Sequence, residues 1–226
     1  MEGVTDGFGN AIIGTLVMVG VASLFSIPIG VLTAIFLAEF GQSQTLVGAI
    51  RFIVIVLSGV PSIVVGVFAY GVIVLSTKSF SALAGSFALT VVMLPITVLS
   101  TEEALKLVPN TQRLASAALG GDRFQTTMRV VVRTALPGIT TGILLAIARA
   151  SGETAPLIFT ALFSQNWVQS LLQPAPSMSV LIYNYANSPF VEQNQTAWTA
   201  SLVLVALVLL INVLSRLATR RRLQSR

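Results

Sequence analysis

The amino-acid sequence predicts an all-α fold, a polytopic transmembrane helical bundle with five spans, and three observations carry that expectation. Of 226 residues, 54% are hydrophobic and 9% charged, where soluble domains carry roughly 25% charge. The mean hydropathy is +0.88. Residues 7–38, 52–77, 79–101, 154–191 and 193–215 contain no Asp, Glu, Lys or Arg, and each interval exceeds the roughly 20 residues that cross a hydrocarbon core.

The first span is expected over Ala11–Ala38, after a short tail carrying Glu2 and Asp6, with Pro28 inside it. The second is expected over Phe52–Leu75 and holds the string Ser58-Gly59-Val60-Pro61-Ser62 in its first half. The third, Phe80–Ser100, contains Pro95; the fourth, Ala135–Phe163, contains Arg149 and Glu153. The fifth is Trp198–Ser215, followed by an arginine-rich tail. One transmembrane domain over 1–226 results, with a cytoplasmic loop at 101–134 and an external loop at 164–196. Pro28, Pro61 and Pro95 are read as packing kinks, since proline is common in membrane helices.

Basic residues orient the spans, because cytoplasmic loops carry the excess of Lys and Arg. Loop 101–134 has Lys106, Arg113, Arg123, Arg129 and Arg133, and the C-terminus has Arg216, Arg220, Arg221, Arg222 and Arg226. The N-terminal tail and 164–196 have none. Five spans with an external N-terminus and a cytoplasmic C-terminus satisfy this pattern, and Arg51 falls on the cytoplasmic side. The net charge of +5 thereby has a topological explanation, and nucleic acid is not expected as a partner. Met1 would lie outside with no charged-then-apolar leader before it. Either the acidic tail crosses unaided, or a complete relative begins with one more helix.

The chain has no Cys and no His. Thiolate chemistry, disulfides and the usual zinc or iron–sulfur ligand sets are excluded, as is imidazole acid–base catalysis. No G-x-x-x-x-G-K-[ST] string occurs, so nucleotide hydrolysis is not expected of this chain.

Within loop 101–134 a short helix is expected over Asn110–Leu119, with Asn110 as N-cap after Pro109. Leu114, Ala118 and Leu119 form a modest apolar face beside Ala115, Ser116 and Ala117. Gly120-Gly121 stops the helix, and Asp122 caps the next one. Two readings stand: a helix that docks in another protein's groove, or one that only covers the loop.

Span four holds the chemistry. Gly138, Gly142, Ala146 and Ala150 form a small-residue stripe that admits a neighbouring helix. Arg149 and Glu153 lie about 18 Å past Pro137 at 1.5 Å per residue, near mid-membrane, where each charge in lipid would cost about 2.5–3.5 kcal/mol. They must face protein or water, as a substrate path or as a bridge between helices. The planar guanidinium suits the oxygens of a phosphate-like anion, while Glu153 would keep that anion from being held too tightly to leave. Thr154, Ser58 and Ser62 are further path candidates. Pro156 removes a hydrogen bond and Ser151-Gly152 weakens the same turn, so Gly152 and Pro156 are a candidate hinge. Outside, Met178–Ala186 is too short to span and reads as a re-entrant or interfacial helix. Trp167, Tyr183, Tyr185 and Trp198 suit the membrane boundary.

Leu114 through Gly120, followed by Val130-Val131-Val132 and Leu136-Pro137-Gly138, resembles the EAA loop of ABC importer permeases. Gly120 and Val130 have the family's separation; Leu114 stands where Glu is usual and Arg133 where Pro is usual. Gly142 through Leu157, with Arg149 followed by Gly152-Glu153-Thr154-Ala155-Pro156, is similar to the PstA-type permease subunits of phosphate importers. Ile29-Gly30-Val31 through Leu37-Ala38-Glu39, Leu57 through Ser62 and Leu181 through Ala186 resemble that family as well. The resemblance covers essentially the whole chain, in a family that usually has six spans.

It implies that residues 114–122 form a coupling helix docking into a cleft of a separate ATPase, present in two copies and holding the ATP and magnesium. This chain would bind no cofactor itself. It further implies a homologous permease subunit in a heterodimer, an external phosphate-binding protein docking near 164–196, and the plasma (inner) membrane of a bacterium. The expected function is the permease subunit of an ATP-driven phosphate importer. A permease for sulfate or molybdate, or a secondary anion carrier using the Arg–Glu pair, is the alternative.

Overall fold

The computed structural model describes residues 7–224. Glu2, Asp6 and the side chains of Arg216, Arg220, Arg221, Arg222 and Arg226 lie outside what it describes. Among the described residues the chain is built from helices without strands. Four are long and apolar enough to cross a membrane, and a bent pair brings the number to five.

Helix α1 covers Gly9–Phe40; Pro28 lies within it, and its last turn, Phe36–Phe40, is wound as a π-helix. The expected second span is two helices, α2 (Gln44–Gly59) and α3 (Ser62–Thr77), whose axes differ by 104°. The break is at Val60 and Pro61, with extended ψ values of 129° and 135°. Proline has no N–H to donate and pushes its predecessor out of the helical region, so Pro61 divides the span rather than kinking it. Helix α4 (Ala82–Lys106) runs past the expected end at Ser100 and carries Pro95 inside. Ser81 opens it by accepting from the Ala84 N–H at 3.1 Å.

Helix α5 is Asn110–Ala118. Helix α6 runs Arg123–Ser151, starting twelve residues before the expected Ala135 and stopping before Phe163. Three arginines in its first turns obscured that start. They need no burial, because 29 residues make a rod about 43 Å long, which overhangs a core about 30 Å thick. Helix α7 is the single turn Ala155–Ile158, and α8 is Met178–Ala186, with the expected bounds. Helix α9, Val191–Gln224, is 34 residues long, so the fifth span begins before Trp198 and its helix continues into the arginine-rich segment.

Helices α1 and α4 run in the same direction and form the centre. Met18 meets Gly85, Ser26 meets Met93 at 3.8 Å, and Gly30 meets Thr97. Helix α6 lies antiparallel on α4, Gly138 against Ala104 and Gly142 against Ser100. A Cβ at Gly142 would sit 2.1 Å from the Ser100 Oγ, closer than any non-bonded contact allows. Ala146 and Ala150 are buried further along the same face. The small-residue stripe is therefore a packing seam.

The two ends of the bundle differ. At one end Ile35, Leu105, Val108, Val131 and Ile139 close a small apolar cluster beneath α5. At the other, segment 160–177 folds over the starts of α1 and α4. The amides of Ser81, Ala82 and Leu83 donate to the carbonyls of Thr160, Gln173 and Leu171 at 3.0, 2.9 and 2.8 Å. Those contacts satisfy donors that any helix N-terminus leaves open. Asn10 holds the same segment through the Gln165 carbonyl at 2.7 Å. Met178–Leu181 of α8 are buried against α1 and α9, whereas Trp167, Tyr183 and Trp198 are exposed.

Candidate functional site

Four backbone segments converge at the middle of α4. Leu57, Ser58 and Val60 come from the end of α2, Ser62 and Val65 from the start of α3, Val92, Pro95 and Ile96 from α4, and Arg149 from α6. Together they line a cavity of about 40 Å³, with Ser58, Ser62 and Arg149 as the polar groups on a mostly apolar wall; that is room for water beside three polar partners. The bend at Val60–Pro61 builds one side of it. The interruption lets residues at the end of α2 and the start of α3 line the same space. The Ser58 hydroxyl donates to the Ile55 carbonyl at 2.7 Å, which leaves its oxygen lone pairs for another donor.

Arg149 occupies the last turn of α6, since the helix ends at Ser151 with Gly152 as its C-cap. The Gly152 amide donates back to the Arg149 carbonyl at 3.1 Å. A cation at that position is favoured by the carbonyl-rich end of the helix. Arg149 lies level with Pro95 and Ile96, halfway along α4. Its side chain is 55% exposed against 14% for Glu153. The pair is joined only through Arg149 Nε at 3.5 Å, the limit of a hydrogen bond, and not by the bidentate fork that makes such pairs strong. Glu153 is more firmly placed by its backbone, whose carbonyl accepts from Ser179 Oγ of α8 at 2.7 Å.

The other expected path residues separate. Glu153 and Thr154 do not line the cavity; Thr154 precedes α7, and its carbonyl accepts the amides of Leu157 and Ile158. Gly152 lies in the break between α6 and α7 and Pro156 is the second residue of α7, so they flank an interruption of the helix and not a flexure inside one. Pro156 opens α7 and packs on Gly66 of α3, where a Cβ would come within 2.6 Å of the proline Cα. That contact ties the segment after Arg149 to the helix that carries Ser62.

The second candidate region is α5. Its end forms the reciprocal pair of hydrogen bonds expected of a left-handed stop: Gly120, at φ 82°, donates to Ala117, and Gly121 to Ser116, at 2.9 and 3.0 Å. Asp122 Oδ1 accepts from the Gln125 amide at 2.7 Å, the expected cap. Asn110 is not the N-cap. Pro109 takes that place, and the Asn110 side chain accepts from Arg113 Nη1 at 3.2 Å instead. No residue of α5 is buried. Leu114, Ala115, Ala117, Ala118, Leu119, Gly120 and Asp122 are exposed, Ser116 and Gly121 partly so, and Leu119 reaches 91%. Beside it, Ala38, Glu39, Lys106, Arg113, Leu114 and Arg123 edge a cleft of about 650 Å³.

Two ion-pair clusters at this end escaped the sequence reading. Glu102, with a side chain 3% exposed, meets both Arg51 of α2 and Lys106 of its own helix. The Lys106 partnership has a local signature, carboxylate and ammonium four residues apart; the Arg51 partnership has none. Arg113 and Glu39 pair at 2.7 Å across 74 residues of sequence, which no local pattern reports.

The family profile described as "Binding-protein-dependent transport system inner membrane component" matches residues 26–224. The chain is 43% identical over 211 residues to the phosphate transport system permease protein PstA of Haemophilus influenzae, covering 93% of this chain and 75% of that protein. It is 37% identical over 217 residues to the probable phosphate transport system permease protein PstA of Methanocaldococcus jannaschii, covering 95% and 76%. Among solved structures, the fold is similar to the MetNI methionine ABC transporter in an inward-facing conformation, with a TM-score of 0.75 and 22% identity over 93% of this chain and 94% of that one.

Proposed function

Because the chain belongs to the binding-protein-dependent transport system inner membrane components, we propose that it is the permease subunit of an ATP-driven importer of inorganic phosphate. It is a multi-pass membrane subunit with no catalytic chemistry of its own. The supporting observation is one cation, Arg149, on the wall of a small cavity halfway along an otherwise apolar bundle, with Ser58 and Ser62 as its other polar groups. A guanidinium held at a helix end and weakly engaged by its own carboxylate is free to meet an oxyanion. Glu153, 3.5 Å away, competes for the same cation, so an anion that displaces it is never trapped. Nothing in this chemistry separates phosphate from sulfate or molybdate; the names of the relatives favour phosphate.

ATP and magnesium belong to a separate ATPase, two copies of which grip the permease pair through α5 and its counterpart. The second permease subunit is a homologue, and the anion passes between the two. An external binding protein delivers phosphate at the end formed by 160–196. The basic loop supports a cytoplasmic α5, and α9, which starts at the opposite end, supports a cytoplasmic position for the arginine-rich segment as well. The membrane is the inner membrane of a bacterium.

In proteoliposomes holding the whole complex and binding protein, labelled phosphate should enter only with ATP, and excess sulfate should not compete. Arg149→Gln should abolish uptake while the complex assembles normally. Uptake by that variant at the wild-type rate would refute the anion path, and uptake driven by an ion gradient without ATP would establish the secondary carrier instead.

A further inference from the structure

Helix α5 presents a mechanical problem. A helix without one buried residue is not held to the bundle by apolar packing, so a pull on it travels through polar contacts. Those contacts divide into two sets. Toward α6 there are two hydroxyl or amide links, Ser116 to Thr126 at 2.8 Å and Thr134 to Gln112 at 3.1 Å. Toward α1 and α4 there is one side chain, Arg113.

The Arg113 guanidinium is used on both prongs. Nη1 donates to the Val108 carbonyl at 2.6 Å, and Nη2 donates to the Leu105 carbonyl at 3.1 Å and to Glu39 Oε1 at 2.7 Å. The carbonyls belong to the last turn of α4 and to Val108 just beyond it, Leu105 also accepting the Val108 amide; the carboxylate stands on the π-wound last turn of α1. The pair is mostly enclosed, with side-chain exposures of 23% and 10%. A single residue of α5 therefore grips both central helices. Helix α4, once gripped, is the helix that carries Val92, Pro95 and Ile96 to the cavity, about 20 Å away for 13 residues at 1.5 Å each.

We propose that Arg113 and Glu39 are positioning residues that gear α5 to α1 and α4, so that movement of α5 resets the cavity wall facing Arg149. The proposal rests on the permease reading above. Coupling needs a physical connection between the sites, and here the Arg113–Glu39 clamp is a link that stays closed while α5, α1 and α4 move together. Lysine at 113 would not serve, because one ammonium lacks the fixed fork that reaches carbonyls and carboxylate together.

The test uses the complete reconstituted complex and reads phosphate imported per ATP hydrolysed. In Glu39→Gln and Arg113→Lys hydrolysis should continue while uptake falls, lowering that ratio at least about fivefold, the smaller end of typical coupling effects. Glu103→Gln, the same change at an exposed neighbour, should leave it unaltered. A contact that serves stability alone would reduce assembled complex and lower both activities together, with the ratio constant. That result would overturn the proposal.

A second measurement does not depend on the substrate. The chain has no cysteine, so spin labels can be placed at Leu32 and Thr111, both exposed, through introduced cysteines. The α1–α5 distance should be the same with ADP and with a non-hydrolysed ATP analogue, and should broaden in Glu39→Gln. A nucleotide-dependent shift in the otherwise wild-type complex would refute the gearing. Wild-type complex that fails to import phosphate would sink the permease reading, while the label distances would still decide the gearing.

Discussion

Replacing Gly142 with alanine tests the seam that sets Arg149 against α4. The new methyl would lie 2.1 Å from Ser100 Oγ and 2.5 Å from Ser100 Cβ. Relaxed contacts are roughly 3.5–4.0 Å, so α4 and α6 must part by about an ångström or more. Rotation of the serine alone cannot remove the clash, because its Cβ is fixed to the α4 backbone. Overpacking of this kind costs typically 1–3 kcal/mol. The loss should register in detergent as a lower midpoint in titration with a denaturing detergent. Ser100→Gly deletes both clashing atoms, and added to Gly142→Ala it should recover most of the loss, since residues in direct contact are the ones whose effects fail to add. Uptake should follow the same pattern, because Arg149 is two turns further along α6. Full stability in Gly142→Ala, or no recovery in the double variant, would refute the close seam.

Two further outcomes follow from the α5 end. Gly120→Ala places a Cβ on a residue at φ 82°, where an L-residue costs about 1–2 kcal/mol. Amide exchange at Gly120 and Gly121 should accelerate, and binding of the partner ATPase should weaken, with the membrane helices unaffected. Glu102→Gln leaves Arg51 and Lys106 without their shared carboxylate. Hydrogen bonds to charged groups are worth about 1.5–3 kcal/mol when buried, and with both cations one-third exposed or more the lower end is expected, read as a reduced thermal midpoint that added salt does not restore.

The residue pattern was informative where most local rules applied, the N-cap expected at Asn110 being the exception. Gly120-Gly121 and Asp122 could be read as a stop and a cap because both act within one turn of chain. Met178–Ala186 was legible from its length, and the Gly138-Gly142-Ala146-Ala150 stripe from its period. The errors also have a common origin. Charge was used to mark where membrane ends, which cut α6 at Ala135 although a helix pays nothing to continue into water. Pro61 was weighed as a kink, but what a proline does depends on whether neighbours hold the two halves in line, and here they do not.

The sequence by itself determined the class of molecule: apolar stretches of spanning length, no Cys or His chemistry, and a basic loop with a capped, exposed helix. It also singled out Arg149, because an arginine in an apolar span demands a reason. Only the tertiary structure decided that Ser58, Ser62 and Arg149 share one cavity, that Glu153 does not line it, and that Glu39 meets Arg113. Caps, stops and periods depend on residues a few positions apart. Those meetings depend on a 104° bend and on helix pairs closed by glycine contacts, and nothing in the order of the residues along the chain records such distances.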